Sequence, residues 1–383
     1  MNATSANNWP RSYGKRGILD GGPSSFLKKP RRDSIKDVMM QRLQSEPVAD
    51  GQLSAAQIAQ WRNTGRVLVK GLLDSDQLRA LTALALQLFP APGSAEAGSV
   101  TDFGSDGALV FPSAHVLFND VTLSPPLLQA VADLLGVGVD QIRLTQSDLW
   151  PKYGRALSAS ERDNRDQRMH VDYPNHTILH PPVWQAPEAV EMIIYHSDAR
   201  ECSGETAVVP KLDVDDGLYR YPILDAPGIG ELVYVNDREA AEAYLSRVAP
   251  EVANFRKQLY AREQLVDYRP YDVLFYRHDT WHRGTPIKEG TCRLAHNVTF
   301  RLASAEWVST LHPGWAWSAY RPSQVFERWL AQASVPQRTA LGFPHPGHVY
   351  WTPATVAAVA ARYGAFGFDP APYVSAMSDG LPA

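Results

Sequence analysis

Apolar and polar positions recur along this chain with two different periods, and the change of period divides it. From Ser54 the spacing is helical. Ser54-Ala-Ala-Gln57 has the form of a capping box, and Ile58 and Trp61 follow on one face. Asp74-Ser-Asp-Gln77 is a second start signal, ahead of Leu78, Leu81, Leu84 and Leu88 on one helical face. A third helix opens at Ser124, with Pro125 in its first turn, and stops at Gly136. Val67–Val69 between the first two reads as a short strand. At Ile142 the period shortens to two. Strands are predicted over Ile142–Trp150, Arg168–Asp172, Val190–His196, Thr206–Val209, Val273–Tyr276 and Arg293–Leu302, at uneven spacing and bounded by turn residues. That spacing predicts a jelly roll or barrel rather than βαβ units. A helical insert over Arg238–Arg262 interrupts the strands, and two further helices are predicted over Ser323–Ala333 and Thr355–Tyr363. The expected fold is mainly β with flanking helices. It forms one domain over 49–383: helical at 49–140, jelly roll at 141–302, and a Pro- and Trp-rich helical extension at 303–383.

Residues 1–48 lack sustained periodicity and read as an extended arm. Eight Lys/Arg against two Asp give residues 1–36 a charge of +6, so within a net charge of −4 the remainder carries −10. A basic arm can touch nucleic acid. No folded basic motif accompanies the arm, so it reads as a solvated tail. The chain has 383 residues, 44% apolar and 20% charged, enough for a real core and not a disordered composition. Its longest apolar runs, such as Val356–Ala361, are far short of a membrane span. The opening residues show no apolar stretch of a secretory signal. Two cysteines, Cys202 and Cys292, exclude a disulfide framework and a cysteine-based zinc module, and make a reducing, cytoplasmic setting the default.

The chemistry concentrates in Met169-His170-Val171-Asp172-Tyr173-Pro174. On a strand, alternate side chains share a face, so His170 and Asp172 point the same way. One strand cannot wrap three ligands around a metal, so a third must come from elsewhere. His282, just beyond the apolar strand Val273–Tyr276, is the candidate, and His278 four residues earlier is its rival. Two histidines and a carboxylate, leaving open positions, are the ligand set of non-haem Fe(II) oxygenases. The plain alternative is a half-buried strand with a hydrogen-bonded histidine. Arg293, eleven residues after His282, opens a strand on which Arg293, Ala295, Asn297, Thr299 and Arg301 share a face. A guanidinium there can grip a carboxylate through two parallel hydrogen bonds.

The ordered set His170-Val-Asp172, Gly204-Glu-Thr206-Ala-Val-Val-Pro210, Tyr271-Asp272-Val-Leu-Phe275, His282 and Arg293 resembles the phytanoyl-CoA dioxygenase family of Fe(II)/2-oxoglutarate-dependent oxygenases. The resemblance covers about residues 142–302. It implies a double-stranded β-helix, cupin-like, with Fe(II) held by His170, Asp172 and His282. It implies that Arg293, helped by Lys152 eighteen residues before His170, holds the 5-carboxylate of 2-oxoglutarate. It also favours His282 over His278. The implied reaction consumes O2 and 2-oxoglutarate, releases succinate and CO2, and hydroxylates a small organic substrate. Related halogenases lack the carboxylate, so Asp172 points to hydroxylation. Two features depart from the family: Gly284 stands where relatives carry Ser or Asn, and Pro210-Lys-Leu-Asp replaces Pro-Gly-Ser-His.

His176 and His180 have zinc-like spacing but are hemmed by Pro174, Pro181 and Pro182, which favours a loop. Gln146 and Asp148, on the predicted face of Ile142 and Leu144, either line the pocket or lie on a half-solvated strand. Tyr173 and Trp184 either shape the cavity or pack. Two other functions fit the scaffold. A His2Asp metal hydrolase would make no use of Arg293, and a jelly-roll binding protein would bind without turnover.

Overall fold

The computed structural model describes residues 42–100, 109–154, 166–173, 179, 183–219, 238–305 and 325–379. The basic residues at 11–36 and the histidine pair His176/His180 lie outside them.

Strand β1 (Glu46–Pro47) leads to helix α1 (Ala55–Thr64), strand β2 (Arg66–Lys70) and helix α2 (Ser75–Leu88). The Ser54/Gln57 capping box is formed, and Asp74 caps α2 by accepting from the N–H groups of Asp76 and Gln77. Helices α3 (Val116–Thr122) and α4 (Pro125–Leu135) follow, the second ending on Gly136 in the left-handed conformation. The core then runs through β3 (Ile142–Tyr153), β4 (Ala189–Tyr195), a short turn of helix α5 (Ala199–Cys202) and β5 (Thr206–Val208). Helices α6 (Arg238–Val248) and α7 (Pro250–Arg262) precede β6 (Gln264–Leu265), β7 (Val273–Tyr276), β8 (His282–Gly284) and β9 (Cys292–Leu302). The expected single insert is therefore two helices, divided where Pro250 takes the first position of the second. The C-terminal helices are α8 (Val325–Gln332), α9 (Val335–Ala340), α10 (Pro353–Tyr363) and α11 (Ala371–Asp379). With this much helix the architecture is mixed α/β rather than mainly β, because the segments before β3 and after β9 build helical layers of their own.

Among the described residues the strands form a six-stranded sheet in the order β1-β2-β7-β4-β9-β3 and a three-stranded sheet in the order β6-β5-β8. Apart from the β1–β2 pair, all pairings are antiparallel. Period-two patterning gives the large sheet two different faces. Val190, Met192, Ile194, Val273, Phe275, Leu294, Val298 and Phe300 pack against Trp61, Leu78, Leu81, Phe118, Leu127 and Val131 of α1 to α4. Each such side chain contributes roughly 1.5–3 kcal/mol on burial. The opposite face presents Leu68, Ile193, Tyr195, Leu274, Tyr276 and Ala295 to Val208 of the small sheet and to Val266 and Tyr268. The site lies between these two sheets.

One register shift matters for the site. The β3–β9 ladder slips between Leu144 and Gln146. Such an irregularity exchanges the faces of a strand. Ile142 and Leu144 therefore join the helix-side core, while Gln146 and Asp148 turn to the inner face. The expectation that all four share a face is corrected. Strand β3 also runs three residues past Trp150, through Pro151, which an edge strand tolerates. At the N-terminal side, Leu43 is buried and bridges Val266, so the chain joins the fold before residue 49.

Candidate metal centre

His170 and Asp172 are carried by a segment that docks on β8 rather than by a long strand. The N–H of His170 donates to the carbonyl of His282 and the N–H of His282 to that of His170, both at 2.9 Å. The N–H groups of Asp172 and Tyr173 both donate to the carbonyl of His278. Alternation does the rest. Met169, Val171, Tyr173 and Trp281 go outward into a cluster with Trp184, Val209, Tyr219 and Leu259. Their neighbours His170, Asp172 and His282 are left facing inward. One donor atom from each of these three lies within 4.8 Å of the others, and His170 and His282 are buried.

The ring nitrogens are committed by the backbone. Nδ1 of His170 lies 2.9 Å from the carbonyl of Arg168, and Nδ1 of His282 lies 3.0 Å from that of Thr280. A carbonyl only accepts, so in the neutral, metal-binding form each Nδ1 carries the proton and each Nε2 offers a lone pair inward. Nε2 of His170 is 3.6 Å from Asp172 Oδ1, and Nε2 of His282 is 3.1 Å from Asp172 Oδ2. Two lone pairs and a carboxylate converging in a buried space repel unless a positive charge sits among them. Burial lowers the His282 pKa, but the charge and hydrogen bond of Asp172, then Glu191 and the Thr280 carbonyl, outweigh it and raise it to about 9. Burial likewise pushes Asp172 up, yet His282, His170 and a hydrogen bond from Glu191 hold it well below the usual carboxylate range. The donor set fits a divalent cation bound by two imidazoles and a carboxylate.

His278 stands apart from the triad. Its Nε2 is 2.8 Å from Oε1 of Glu191, a buried carboxyl group that also donates to Asp172. Sequence reasoning missed Glu191, although a lone charge inside the apolar run Ala189–Tyr195 was a usable signal. Tyr276, opposite Glu191 in the β4–β7 ladder, places its ring centroid 4.8 Å from that of His282.

Arg293 is 4% exposed and lies on the inner face of β9. Its Nη1 donates to the carbonyl of Gly204 at 2.6 Å, while its Nε is buried without a partner among the described residues. Lys152 pairs with Arg293 directly across the β3–β9 ladder, is buried, and has its Nζ 4.7 Å from the Trp150 ring centroid. Two cations side by side, one with an unsatisfied donor, suit an anion. At Gly284 the departure from the family has a spatial counterpart. The side-chain oxygen of Gln167 accepts from the Gly284 N–H at 2.7 Å, and a Cβ at residue 284 would lie 2.8 Å from that oxygen. Trp184 packs, as the plain reading held: its ring lies against Arg277 and Tyr219.

No family model and no curated protein matches the sequence. Among solved structures the chain is similar to the non-heme alpha ketoglutarate dependent carbocyclase SnoK from nogalamycin biosynthesis, at 18% identity and a TM-score of 0.44 over 69% of this chain and 90% of that one. It is similar to EvdO2 from Micromonospora carbonacea var. aurantiaca complexed with 2-oxoglutarate, at 15% identity and a TM-score of 0.45 over 69% and 97% of the two chains. It is also similar to EctD from S. alaskensis with bound Fe, at 17% identity and a TM-score of 0.44 over 73% and 89%.

Proposed function

We propose that the chain is an Fe(II)- and 2-oxoglutarate-dependent oxygenase of the phytanoyl-CoA dioxygenase type that hydroxylates a small organic molecule. The carrying observation is the convergence of His170, Asp172 and His282 on one buried space, with both Nε2 lone pairs turned to the carboxylate. On this reading the two facing sheets are a double-stranded β-helix, and the chain from Leu43 onward forms a single oxygenase domain behind the basic arm. Bound iron would supply the redox chemistry: O2 oxidises a substrate C–H bond while 2-oxoglutarate is converted to succinate and CO2.

This chain's residues do the rest. The Arg168 and Thr280 carbonyls fix the tautomer and aim of the two imidazoles. Asp172 adds the third ligand and offsets the charge of the metal. Arg293 takes the distal carboxylate of the keto-diacid through its fork, with Lys152 adding positive charge beside it. The apolar lining of Ile193, Leu274 and Val208 keeps water from the centre. A hydrolase built on the same triad has no task for the buried Arg293, and a binding protein has none for the aligned ligand set. Cys202 and Cys292 form no disulfide, which suits a reducing, cytoplasmic setting. Among the described residues no helix is long and apolar enough to cross a membrane.

The test is metal binding followed by turnover. Anaerobic dialysis against Fe(II) is expected to load one ion per chain in the wild type and to fail in His282→Ala and Asp172→Ala. On admission of O2 and 2-oxoglutarate the loaded protein is expected to release succinate. Loading that survives both substitutions contradicts the proposal.

A further inference from the structure

The inner faces of β3 and β9 carry their side chains in matched rows. Lys152 stands opposite Arg293, Trp150 opposite Ala295, Asp148 opposite Asn297, and Gln146 opposite Thr299. The last row continues across the sheet through Glu191 to Tyr276, the two side chains that touch Asp172 and His282. Asp148 therefore sits one row from the level of the metal donors. Two strand spacings, roughly 10 Å, separate it from the strand of Glu191. It is four residues, roughly 13 Å, from Lys152 along β3. Lys152 and Arg293 stand at one end of these rows, and the Asp148 carboxylate stands in the middle.

Among the described residues Asp148 is only partly satisfied. Its Oδ2 accepts from Nε2 of Gln146 at 3.2 Å. Its Oδ1 is buried and has no hydrogen-bond partner among the described residues. No ion pair to it is formed among the described residues. Burial raises its pKa to about 6, against the lowering effect of hydrogen bonds from Gln146 and Asn297, so it stays largely ionised at neutral pH. A buried carboxylate with an open oxygen is costly, and a fold retains one where something else completes it. A hydroxyl would fill the open oxygen but leave the charge unbalanced. A protonated amine does both.

We propose that Asp148, braced by Gln146 and Asn297, is the substrate-anchoring residue of this site and that it selects a small molecule carrying a protonated amine. This deepens the oxygenase reading and rests on it. The keto-diacid occupies the cationic end of the face, and the amine of the substrate seats on the open Oδ1 of Asp148.

Two measurements test this. The first needs no ligand. A carboxylate kept for binding burdens the empty fold, so Asp148→Asn is expected to raise the melting temperature of the free protein by roughly 1–3 °C. A lowered melting temperature would mark a structural role and overturn the proposal. The second uses anaerobic Fe(II)- and 2-oxoglutarate-loaded protein with cadaverine, agmatine and lysine as probes, each beside its N-acetylated form. Binding is read as perturbation of the iron–2-oxoglutarate absorption band. At least one amine is expected to bind the wild type ten or more times tighter than its acetylated form and to lose that advantage in Asp148→Asn. Equal binding of acetylated forms, unchanged amine binding in the variant, or no engagement by any amine overturns the anchor. Absence of the band in the loaded wild type, before any probe is added, defeats the oxygenase reading itself and is seen separately.

Discussion

Arg293 gives the sharpest mutational test of the co-substrate site. Its guanidinium is almost wholly buried, one nitrogen is spent on the Gly204 carbonyl, and Nε has no hydrogen-bond partner among the described residues. Carboxylate binding by its fork is worth about 1.5–3 kcal/mol for each charge-assisted hydrogen bond. Arg293→Lys keeps the charge but offers no parallel pair, so one bond is lost. The expected weakening of 2-oxoglutarate binding is roughly 10–150-fold. Arg293→Gln removes the charge as well and is expected to weaken binding by roughly 10²-fold or more. The glutamine amide can still donate to the Gly204 carbonyl, which limits damage to the fold. Dissociation constants come from anaerobic titration, with melting temperature and Fe(II) loading as controls, because Arg293 is not one of the metal donors. The variants should also lose discrimination between 2-oxoglutarate and 2-oxobutyrate, which lacks the distal carboxylate. A folded, iron-loaded Arg293→Gln that binds 2-oxoglutarate within twofold of the wild type would refute this reasoning.

Three further outcomes follow from the same geometry. His282, with its pKa raised to about 9, must give up a proton to bind metal, so Fe(II) affinity should rise by about tenfold per pH unit between pH 6 and 8, with proton release measurable by calorimetry in two buffers. A pH-independent affinity would contradict it. On the helix side of the sheet, burial lowers the pKa of His196 to about 4 and that of His296 well below its usual value. Both stay neutral in the folded state while the unfolded chain takes up protons. Stability is therefore full above about pH 6.5 and falls as pH drops toward 4, by about 3 kcal/mol from His196 alone, which denaturant titrations at pH 7.5 and 4.5 would measure. Gly284→Ala should cost about 1–2 kcal/mol through the contact with the Gln167 oxygen and the strained Gly284–Gln167 hydrogen bond, and Gln167→Ala in the same chain should relieve the clash.

The parts of the site that were legible in sequence are those that alternation encodes. Met169 and Val171 need an apolar cluster, and that need alone turns His170 and Asp172 inward. The same logic placed Arg293, because Leu294, Val298 and Phe300 bind the other face to the helices. What sequence could not supply was set by pairing. Strand β8 is three residues long and polar, so nothing in His282-Arg-Gly284 announces a strand; it exists because β5 and the His170 segment hydrogen-bond to it. The slip between Leu144 and Gln146 is a property of the β3–β9 ladder and reverses the face on which Gln146 and Asp148 lie. The pairing of Lys152 with Arg293 across that ladder is likewise a matter of register.

The central claim is that one ferrous ion and one keto-diacid meet at His170, Asp172, His282 and Arg293. Its most direct measurement is anaerobic addition of Fe(II) and then 2-oxoglutarate to the protein, followed in the visible spectrum. The account predicts a weak charge-transfer band that saturates at one ion and one 2-oxoglutarate per chain and disappears in His282→Ala. Protein that is folded and loaded with iron yet gives no such band would contradict it.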